Sequence, residues 1–387
     1  MNKQERLFAL KISSIMATRL FGLFMIFPVF SVYAVQYENT TPYLMGLAIG
    51  IYGLTQALLQ IPFGYLSDQF GRKPLLIVGL ALFFIGSVIA ANSTDIIHVI
   101  IGRALQGSGA ISAVLMAFLA DFVAEDQRSK ANAFVGVQIG VAFMLSLLIG
   151  PLITVNLGLS GLFWVIAGLS IVALIIVATL PHVKPRAQYT LSIPNIKQVL
   201  NAKLLKLDFS VFMLHLILTC AFIVMPVLLV ENNIVAINLE DNWNVYLPVM
   251  LLSFVGMLPI IILAEKFQKH KAMMLTAILI MLISQILFYQ STLTYTTFLI
   301  LLTLFFIAFN AMEAMLPSLV SKTATNDKRG LAMGLYSSSQ FLGAFIGGVF
   351  GGWIYNIYDL NSVFLFTIFM AIIWLGVMFT MKQQKTL

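Results

Sequence analysis

The chain has 387 residues, of which 60% are hydrophobic and 10% charged, and its formal net charge is +7. Soluble domains carry about 25% charged residues, so this composition excludes a soluble globular protein and indicates an all-α polytopic membrane protein. The single cysteine, Cys220, excludes an intramolecular disulfide framework. No metal-ligand cluster and no nucleophile–base pair is visible in the sequence, so we expect neither an enzyme nor a bound cofactor.

Twelve apolar runs follow one another along the chain, each near the roughly 20 residues that a helix needs to cross a bilayer. Their uniform apolar character predicts transmembrane helices rather than barrel strands. The first run follows a short basic segment and resembles a signal peptide, but its length predicts a retained helix. We call the runs spans 1 to 12, and they lie at about 12–35, 43–67, 74–92, 96–122, 131–155, 161–180, 205–230, 244–264, 272–290, 294–321, 331–355 and 362–381.

Basic residues segregate to one side of the predicted membrane. If the loops alternate sides, 20 of the 22 Lys and Arg residues share the side of the N-terminus, and Arg19 and Arg103 lie inside spans. The loops of the opposite side contain acidic residues instead, namely Glu38, Asp95, Glu231, Glu240, Asp241 and Asp359. The positive-inside rule therefore predicts a multi-pass protein of the cytoplasmic (inner) membrane with both termini in the cytoplasm.

The longest connection, 181–204, contains three prolines and four Lys or Arg residues and divides the spans into two sets of six. We therefore predict an N-terminal half at 1–180, a cytoplasmic linker at 181–204 and a C-terminal half at 205–387. A shift of 197 positions aligns Asp68 with Glu265, which indicates that the halves are pseudo-symmetric repeats. Parallel six-helix repeats are a known plan of secondary transporters.

The stretch GYLSDQFGRKP, Gly64 to Pro74, joins spans 2 and 3. A glycine at its start allows close helix approach, and Gly71 supplies a tight turn. The stretch resembles the loop between helices 2 and 3 of the major facilitator superfamily, Gly-x-x-x-Asp-Arg/Lys-x-Gly-Arg-Arg/Lys. The matching residues are Gly64, Asp68, Gly71, Arg72 and Lys73, whereas Gln69 departs from the family's basic residue.

The resemblance implies the major facilitator fold and a role for this loop in cytoplasmic gating. In that family the aspartate faces the start of helix 11, here near Leu331, and the arginine pairs with an acid at the end of helix 4, here Asp121. Release of these contacts would accompany opening to the cytoplasm. The alternative is a simple cytoplasmic anchor with a turn, which leaves Asp68 unexplained.

Span 4 contains GRALQGSGA, with Arg103 and Gln106 on one helical face and Gly107 beside them. A charge at this depth costs at least about 2.5 kcal/mol and needs a partner or water. The run resembles the superfamily's helix-4 motif, Arg-x-x-Gln-Gly, which is associated with proton coupling. A bracing role through backbone carbonyls is the alternative.

Two glycine-containing helices are candidates for kinks and close packing. Span 5 reaches Gly150 and Pro151, a partial match to the Gly-Pro-x-x-Gly-Gly motif of the superfamily's drug antiporters; a simple proline kink is the alternative. Span 11 has glycines four residues apart, including Gly343 and Gly347, which is typical of close helix packing. We expect this glycine face to contact span 2.

Together with TRLFGLFMIFP at 18–28, these stretches resemble the YajR-type branch of the superfamily. The likeness covers spans 1 to 6 well and the second half more loosely. Members of that branch can carry a soluble C-terminal domain, and we expect none after Leu387.

Further polar residues inside the spans are candidates for proton coupling or for lining a substrate cavity. Glu313 suits a carboxylate that takes and releases a proton, or else it is structurally paired. His215 suits a proton relay, with simple packing as the alternative. Arg19 either faces the cavity or clamps backbone carbonyls. The remaining candidates are Gln56, Gln60, Tyr33, Gln138, Asn310 and Tyr336.

These observations predict a secondary active transporter that works by alternating access. We expect proton-coupled efflux (antiport) of small amphipathic molecules or drugs, with a proton-coupled importer of a nutrient or metal chelate as the alternative. No phosphate-binding loop is present, so the proton gradient is the expected energy source. The expected partners are the substrate, protons and the lipid bilayer, with no nucleic acid, and the expected state is a monomer.

Overall fold

The computed structural model describes residues 1–181, 201–231, 243–290, 293–325 and 328–381, and nearly all of these are helical. Ten segments are long and apolar enough to cross a membrane. One of them, Glu125–Ala178, contains two helical segments that meet at Gly158, and the glycine-rich helix Arg329–Ile357 adds a further span. The twelve predicted spans are therefore confirmed in the described residues, as an all-α membrane fold.

The first six spans are formed by the helices Lys3–Phe24, Pro42–Phe70, Arg72–Ala91, Ile96–Ser108 with Ser112–Phe122, and Arg128–Ala178. A short helix, Phe30–Tyr33, follows span 1. The last six spans are Ala202–Glu231, Trp243–Lys266, His270–Gln290, Tyr295–Thr323, Arg329–Ile357 and Leu360–Phe379. Most of the predicted linker, 182–200, lies outside the described residues.

The chain divides into two compact units. The first contains spans 1 to 6, except that Thr41–Gly46 at the start of span 2 belongs to the second unit with spans 7 to 12. In the first unit, Phe8 stacks on Phe122 at 4.1 Å between ring centroids and meets Phe118 edge-on at 5.1 Å. In the second unit, span 7 is the central helix, because 94% of its most apolar stretch is buried.

Span 1 begins nine residues earlier than the apolar run, at Lys3 instead of 12. The reason is a capping box, in which Asn2 Oδ1 accepts from the Glu5 N–H and Glu5 Oε2 accepts from the Asn2 N–H, both at 2.8 Å. The terminal ammonium also donates to Gln127 Oε1 at 2.7 Å. The polar start of the chain is therefore helical, which the apolar pattern alone does not predict.

Span 4 is not the continuous helix that its apolar run predicts. Its first part ends at Ser108, and a second helix begins at Ser112. Span 3 packs against the break so closely that a Cβ on Gly109 would lie 2.1 Å from the Gly79 carbonyl oxygen. Spans 5 and 6 are separated at Gly158, where φ is +67° and the backbone leaves helical geometry. The helix of span 5 continues through Pro151, so proline does not cause this separation.

The glycine face of span 11 contacts the predicted span 2 and, in addition, span 7. A Cβ on Gly343 or Gly347 would lie 2.1 Å or 2.3 Å from carbonyl oxygens of span 7. Gly352 instead lies against Gly46 of span 2. In the first unit, a Cβ on Gly150 would lie 2.4 Å from the Met25 carbonyl oxygen, so this glycine serves packing.

Lysines bind the C-terminal end of each half's last helix in the same way. Lys73 donates to the Leu180 carbonyl at 2.6 Å, and Lys11 donates to that of Thr179 at 3.2 Å. In the second half, Lys206 and Lys271 donate at 2.8 Å to the carbonyls of Thr380 and Phe379. Cations at helix C-termini are favourable, so these lysines stabilise helix ends as well as contributing charge to this side.

On the opposite side, Asp95 caps the helix that begins span 4. Its Oδ1 accepts from the Ile97 N–H at 2.7 Å, and its Oδ2 accepts from the Asn39 amide at 2.5 Å. These hydrogen bonds hold the pKa of Asp95 below its ordinary value, and the hydrogen bond from Ile97 has the larger effect.

Candidate functional site

Three polar clusters contain most of the polar residues that the sequence singles out. The loop cluster consists of Asp68, Arg72 and Asp121. The arginine cluster consists of Arg19, Gln56, Gln60, Arg103 and Gln106. The histidine–glutamate cluster consists of His215, Glu313 and Gln340. The first two lie in the first unit and the third lies in the second.

In the loop cluster, Arg72 bridges two carboxylates. Its Nη1 lies 2.6 Å from Asp68 Oδ1, and its Nε lies 2.8 Å from Asp121 Oδ2. The guanidinium is only 3% exposed, so both ion pairs are shielded from water. The pairing of Arg72 with Asp121 that the family resemblance implies is present.

The turn before Arg72 requires glycine, because Gly71 has φ +92° and ψ 156°. Gly64 has no such requirement, because an added Cβ would make an ordinary contact of 3.7 Å with the Ala113 Cβ. The role of Gly64 in helix approach therefore stays a prediction. Lys73 binds the end of span 6, as described above.

The repeat equivalent of this cluster in the second half is weaker. Glu265, which aligns with Asp68, pairs with Lys322 at 2.9 Å. The two side chains are 48% and 51% exposed, so water screens their attraction. The halves thus differ in whether this ion pair is buried.

Arg103 is 1% exposed and connects spans 2 and 4. Its Nη1 donates to Gln106 Oε1 at 2.7 Å, and its Nε donates to the Ala48 carbonyl at 3.3 Å. Gln106 donates in turn to the Ser87 hydroxyl of span 3 at 2.8 Å. These contacts brace three spans; a part in proton coupling stays a prediction.

Arg19 is 3% exposed and connects spans 1, 2 and 4. Its Nη2 donates to Gln56 Oε1 at 2.5 Å, and its Nη1 donates to the Ser112 hydroxyl at 3.2 Å. Gln56 donates onward to Gln60 Oε1 at 2.8 Å. The Tyr52 ring lies between the arginines, with its centroid 5.7 Å from the Arg19 guanidinium carbon and 5.0 Å from that of Arg103.

Neither arginine has an acidic partner. In the described parts of the chain, no carboxylate forms an ion pair with Arg19 or Arg103. Arg19 Nε and Arg103 Nη2 are buried without a hydrogen-bond acceptor. The membrane-embedded part of the first half therefore holds two cations without a fixed counter-charge.

In the histidine–glutamate cluster, Gln340 joins the other two members. Its amide nitrogen lies 2.8 Å from His215 Nε2 and 3.4 Å from Glu313 Oε1. His215 Nδ1 lies 3.1 Å from the Val211 carbonyl oxygen. Since the carbonyl can only accept, Nδ1 donates this hydrogen bond, and the other ring nitrogen, Nε2, faces Gln340.

Glu313 Oε2 lies 3.8 Å from His215 Nε2. The glutamate side chain is 34% exposed, whereas the histidine is 7% exposed. Among the described residues, no Lys or Arg forms an ion pair with Glu313. This carboxyl group can therefore gain or lose a proton without breaking an ion pair to a permanently charged side chain.

Four other candidates are not members of the three clusters as defined above. Tyr33 is half-buried in the short helix after span 1, and Gln138 is half-buried in span 5. Asn310 joins spans 10 and 8 through a 3.0 Å hydrogen bond to Ser253. Tyr336 is buried on span 11, one turn before Gln340.

Sequence reasoning missed Gln340 and Ser112. Gln340 follows Tyr336 by four positions, so the two share a helical face, and that spacing was an available signal. The sequence gives no signal for Ser112, because its importance depends on the break in span 4.

Comparison with known proteins identifies the class of the chain. The Major Facilitator Superfamily profile matches residues 12–324 and 207–386. The chain belongs to this superfamily and is a multi-pass secondary transporter, as the loop motif and the twelve spans predict.

Among its relatives, the inner membrane transport protein YajR of Escherichia coli is 42% identical, over 99% of this chain and 85% of that protein. This similarity confirms the resemblance to the YajR-type branch. An uncharacterized transporter of Buchnera aphidicola is 38% identical over 90% of both chains.

Solved structures agree on the fold. A bacterial homologue of the human lysosomal transporter Spinster has a TM-score of 0.77 at 13% identity and covers 98% of this chain and 97% of its own. A D-xylose–proton symporter has a TM-score of 0.72 at 17% identity, over 97% of both chains.

Proposed function

We propose that this transporter is a proton-coupled antiporter that exports small amphipathic molecules across the inner membrane, with both termini in the cytoplasm. One observation carries the proton coupling: Glu313 lies within span 10, facing His215 and Gln340 without a Lys or Arg partner in the described chain. An ionisable residue inside a membrane span marks a proton or substrate pathway. The name of the relative YajR supports the inner-membrane location.

The cluster combines a carboxyl group that can bind a proton with two polar side chains that can position it. The Glu313 side chain is 34% exposed, and the His215 imidazole presents its Nε2 at 3.8 Å from Glu313 Oε2. The Gln340 amide can donate to either neighbour, so it stabilises the carboxylate and orients the imidazole. We propose that Glu313 binds the coupling proton and that His215 and Gln340 position it. Alternating access of the two halves would carry this proton inward as substrate leaves.

Proton coupling is testable in proteoliposomes that contain the purified protein and an interior pH dye. Amphipathic cations and amphipathic carboxylates are added to the side that faces the cytoplasmic loops. Proton movement opposite to the substrate is the expected result, and movement alongside it indicates an importer. Glu313→Gln should abolish proton-driven flux while sparing substrate exchange.

The matched control is Glu265→Gln, which removes an exposed carboxylate of the same half. Its proton-driven flux should equal that of the wild type. If Glu313→Gln also retains full proton-driven flux, Glu313 does not carry the coupling proton.

We further propose that the loop cluster controls opening on the cytoplasmic side. Asp68 of span 2 and Asp121 of span 4 share Arg72 of span 3, so a small movement of Arg72 changes two buried ion pairs together. Asp68→Asn should slow substrate turnover without loss of folded protein. Normal turnover in this variant contradicts the gating role.

A further inference from the structure

We propose that the break in span 4 forms, with Arg19, a binding site for an anionic group of the carboxylate type. The site lies within the first half, and the groups that face it are Arg19, Gln56, Ser112 and the backbone at the start of the helix Ser112–Phe122. This inference deepens the proposed transport function, because it assigns a negative charge to one end of the amphipathic substrate.

The first argument is the uncapped start of the second helix of span 4. This helix has 11 residues, and no side chain caps it at Ile111. The first backbone hydrogen bond runs from the Leu115 N–H to the Ile111 carbonyl at 2.9 Å. In the part of the chain that the structure describes, the preceding N–H groups, from Ser112 to Val114, have no acceptor. Free N–H groups at a helix start attract anions.

The second argument is the position of Arg19 at this helix start. Its Nη1 reaches the hydroxyl of Ser112, the first residue of the helix, at 3.2 Å. The side chain is 97% buried, its Nε has no acceptor, and no carboxylate in the described chain pairs with it. A cation beside the positive end of a helix dipole is unfavourable. A bound anion would satisfy the guanidinium and the free N–H groups together.

The surroundings suit a carboxylate attached to an apolar body. The rings of Tyr52 and Phe83 each have their centroid 5.7 Å from the Arg19 guanidinium carbon. Ser112 and Ala113 are only half-buried, so the helix start is not sealed. If Arg19 only braced the break through Ser112 and Gln56, it would still lack a counter-charge.

Equilibrium binding to the purified full-length protein in detergent tests this site without a proton gradient. The probes are benzoate, its neutral isostere benzamide, and chloride, each titrated in sodium HEPES while thermal unfolding is followed by tryptophan fluorescence. Ligand that binds the folded state raises the transition temperature by mass action, which yields an apparent Kd. We expect benzoate to stabilise the protein and benzamide to have no effect.

Variants locate the binding. Arg19→Gln should weaken benzoate at least about tenfold, because it removes a charged hydrogen-bond donor. Arg19→Lys keeps the charge but loses the planar fork, so it should weaken binding less. If Arg19→Gln does not fold, Arg19→Lys and Ser112→Ala carry the test. Ser108→Ala is the matched control, because Ser108 bonds to Ala104 within its own helix.

The outcomes identify the kind of anion that the site binds and decide whether the proposal holds. Chloride that stabilises the protein and competes with benzoate supports the site and assigns it to small inorganic anions. A response to benzoate alone supports it and assigns it to a carboxylate-bearing substrate. Three results would overturn the proposal. They are equal responses to benzoate and benzamide, no response to either anion, and unchanged benzoate binding in both Arg19→Lys and Ser112→Ala. Glu313→Gln should bind benzoate normally, so failure of proton coupling and failure of this site are distinguishable.

Discussion

Arg72→Met should strongly destabilise the first half of the transporter. The Arg72 guanidinium is 3% exposed and compensates the carboxylates of Asp68 and Asp121 at 2.6 Å and 2.8 Å. Removal of one partner from a buried ion pair costs about 3–5 kcal/mol, because the remaining charge stays buried without compensation. The variant leaves two such carboxylates, so we expect the free energy of unfolding to fall by at least about 3 kcal/mol.

The exposed ion pair of the second half provides the comparison. Lys322→Met removes the partner of Glu265, but both side chains are about half exposed, so the loss should be below about 1 kcal/mol. Unfolding of each variant by sodium dodecyl sulfate in mixed micelles, followed by circular dichroism, measures both losses. Equal losses in the two variants would refute the reasoning, since burial is the main difference between the pairs.

Three further predictions concern backbone, packing and pH. Gly71→Ala should cost about 1–3 kcal/mol because only glycine tolerates this conformation, whereas Gly64→Ala should cost nothing; thermal unfolding compares them. Gly347→Ala should cost about 1–3 kcal/mol through overpacking against span 7, while Gly334→Ala, with open space around it, should not, and the same assay decides. The pKa of Asp95 is lowered in the folded state, so its cap stabilises at neutral pH and weakens as the pH falls through that pKa. Unfolding temperatures below about pH 4 should therefore fall more steeply for the wild type than for Asp95→Asn.

The fold was predictable where the membrane imposes a simple physical rule. A bilayer requires about 20 apolar residues per crossing, so the runs in the sequence identified the spans. The turn at Gly71 was predictable because a polar loop between two apolar helices needs a residue free to adopt positive φ. The pairing of Arg72 with Asp121 came from the family motif rather than from the residues alone.

Other features depend on information that a single sequence does not hold. The stretch Gly107 to Ala110 is typical of a closely packed membrane helix, and nothing in it distinguishes such a helix from a break. The partners of Gly347 and Gln340 depend on the rotation of span 11, which its mixture of apolar residues, glycines and serines leaves undetermined. The apolar runs predicted an interruption between spans 5 and 6, but not that a single residue, Gly158, would form it.

The junction at Gly158 has a practical consequence for topology mapping. Spans 5 and 6 are joined through one non-helical residue, so hardly any polypeptide projects from the membrane there. A protease or an antibody would find no extended segment to bind, and an inserted epitope would interrupt helix on both sides. Reporters for this side of the membrane belong instead at the loop around Asn39, where the chain leaves helical structure between spans 1 and 2.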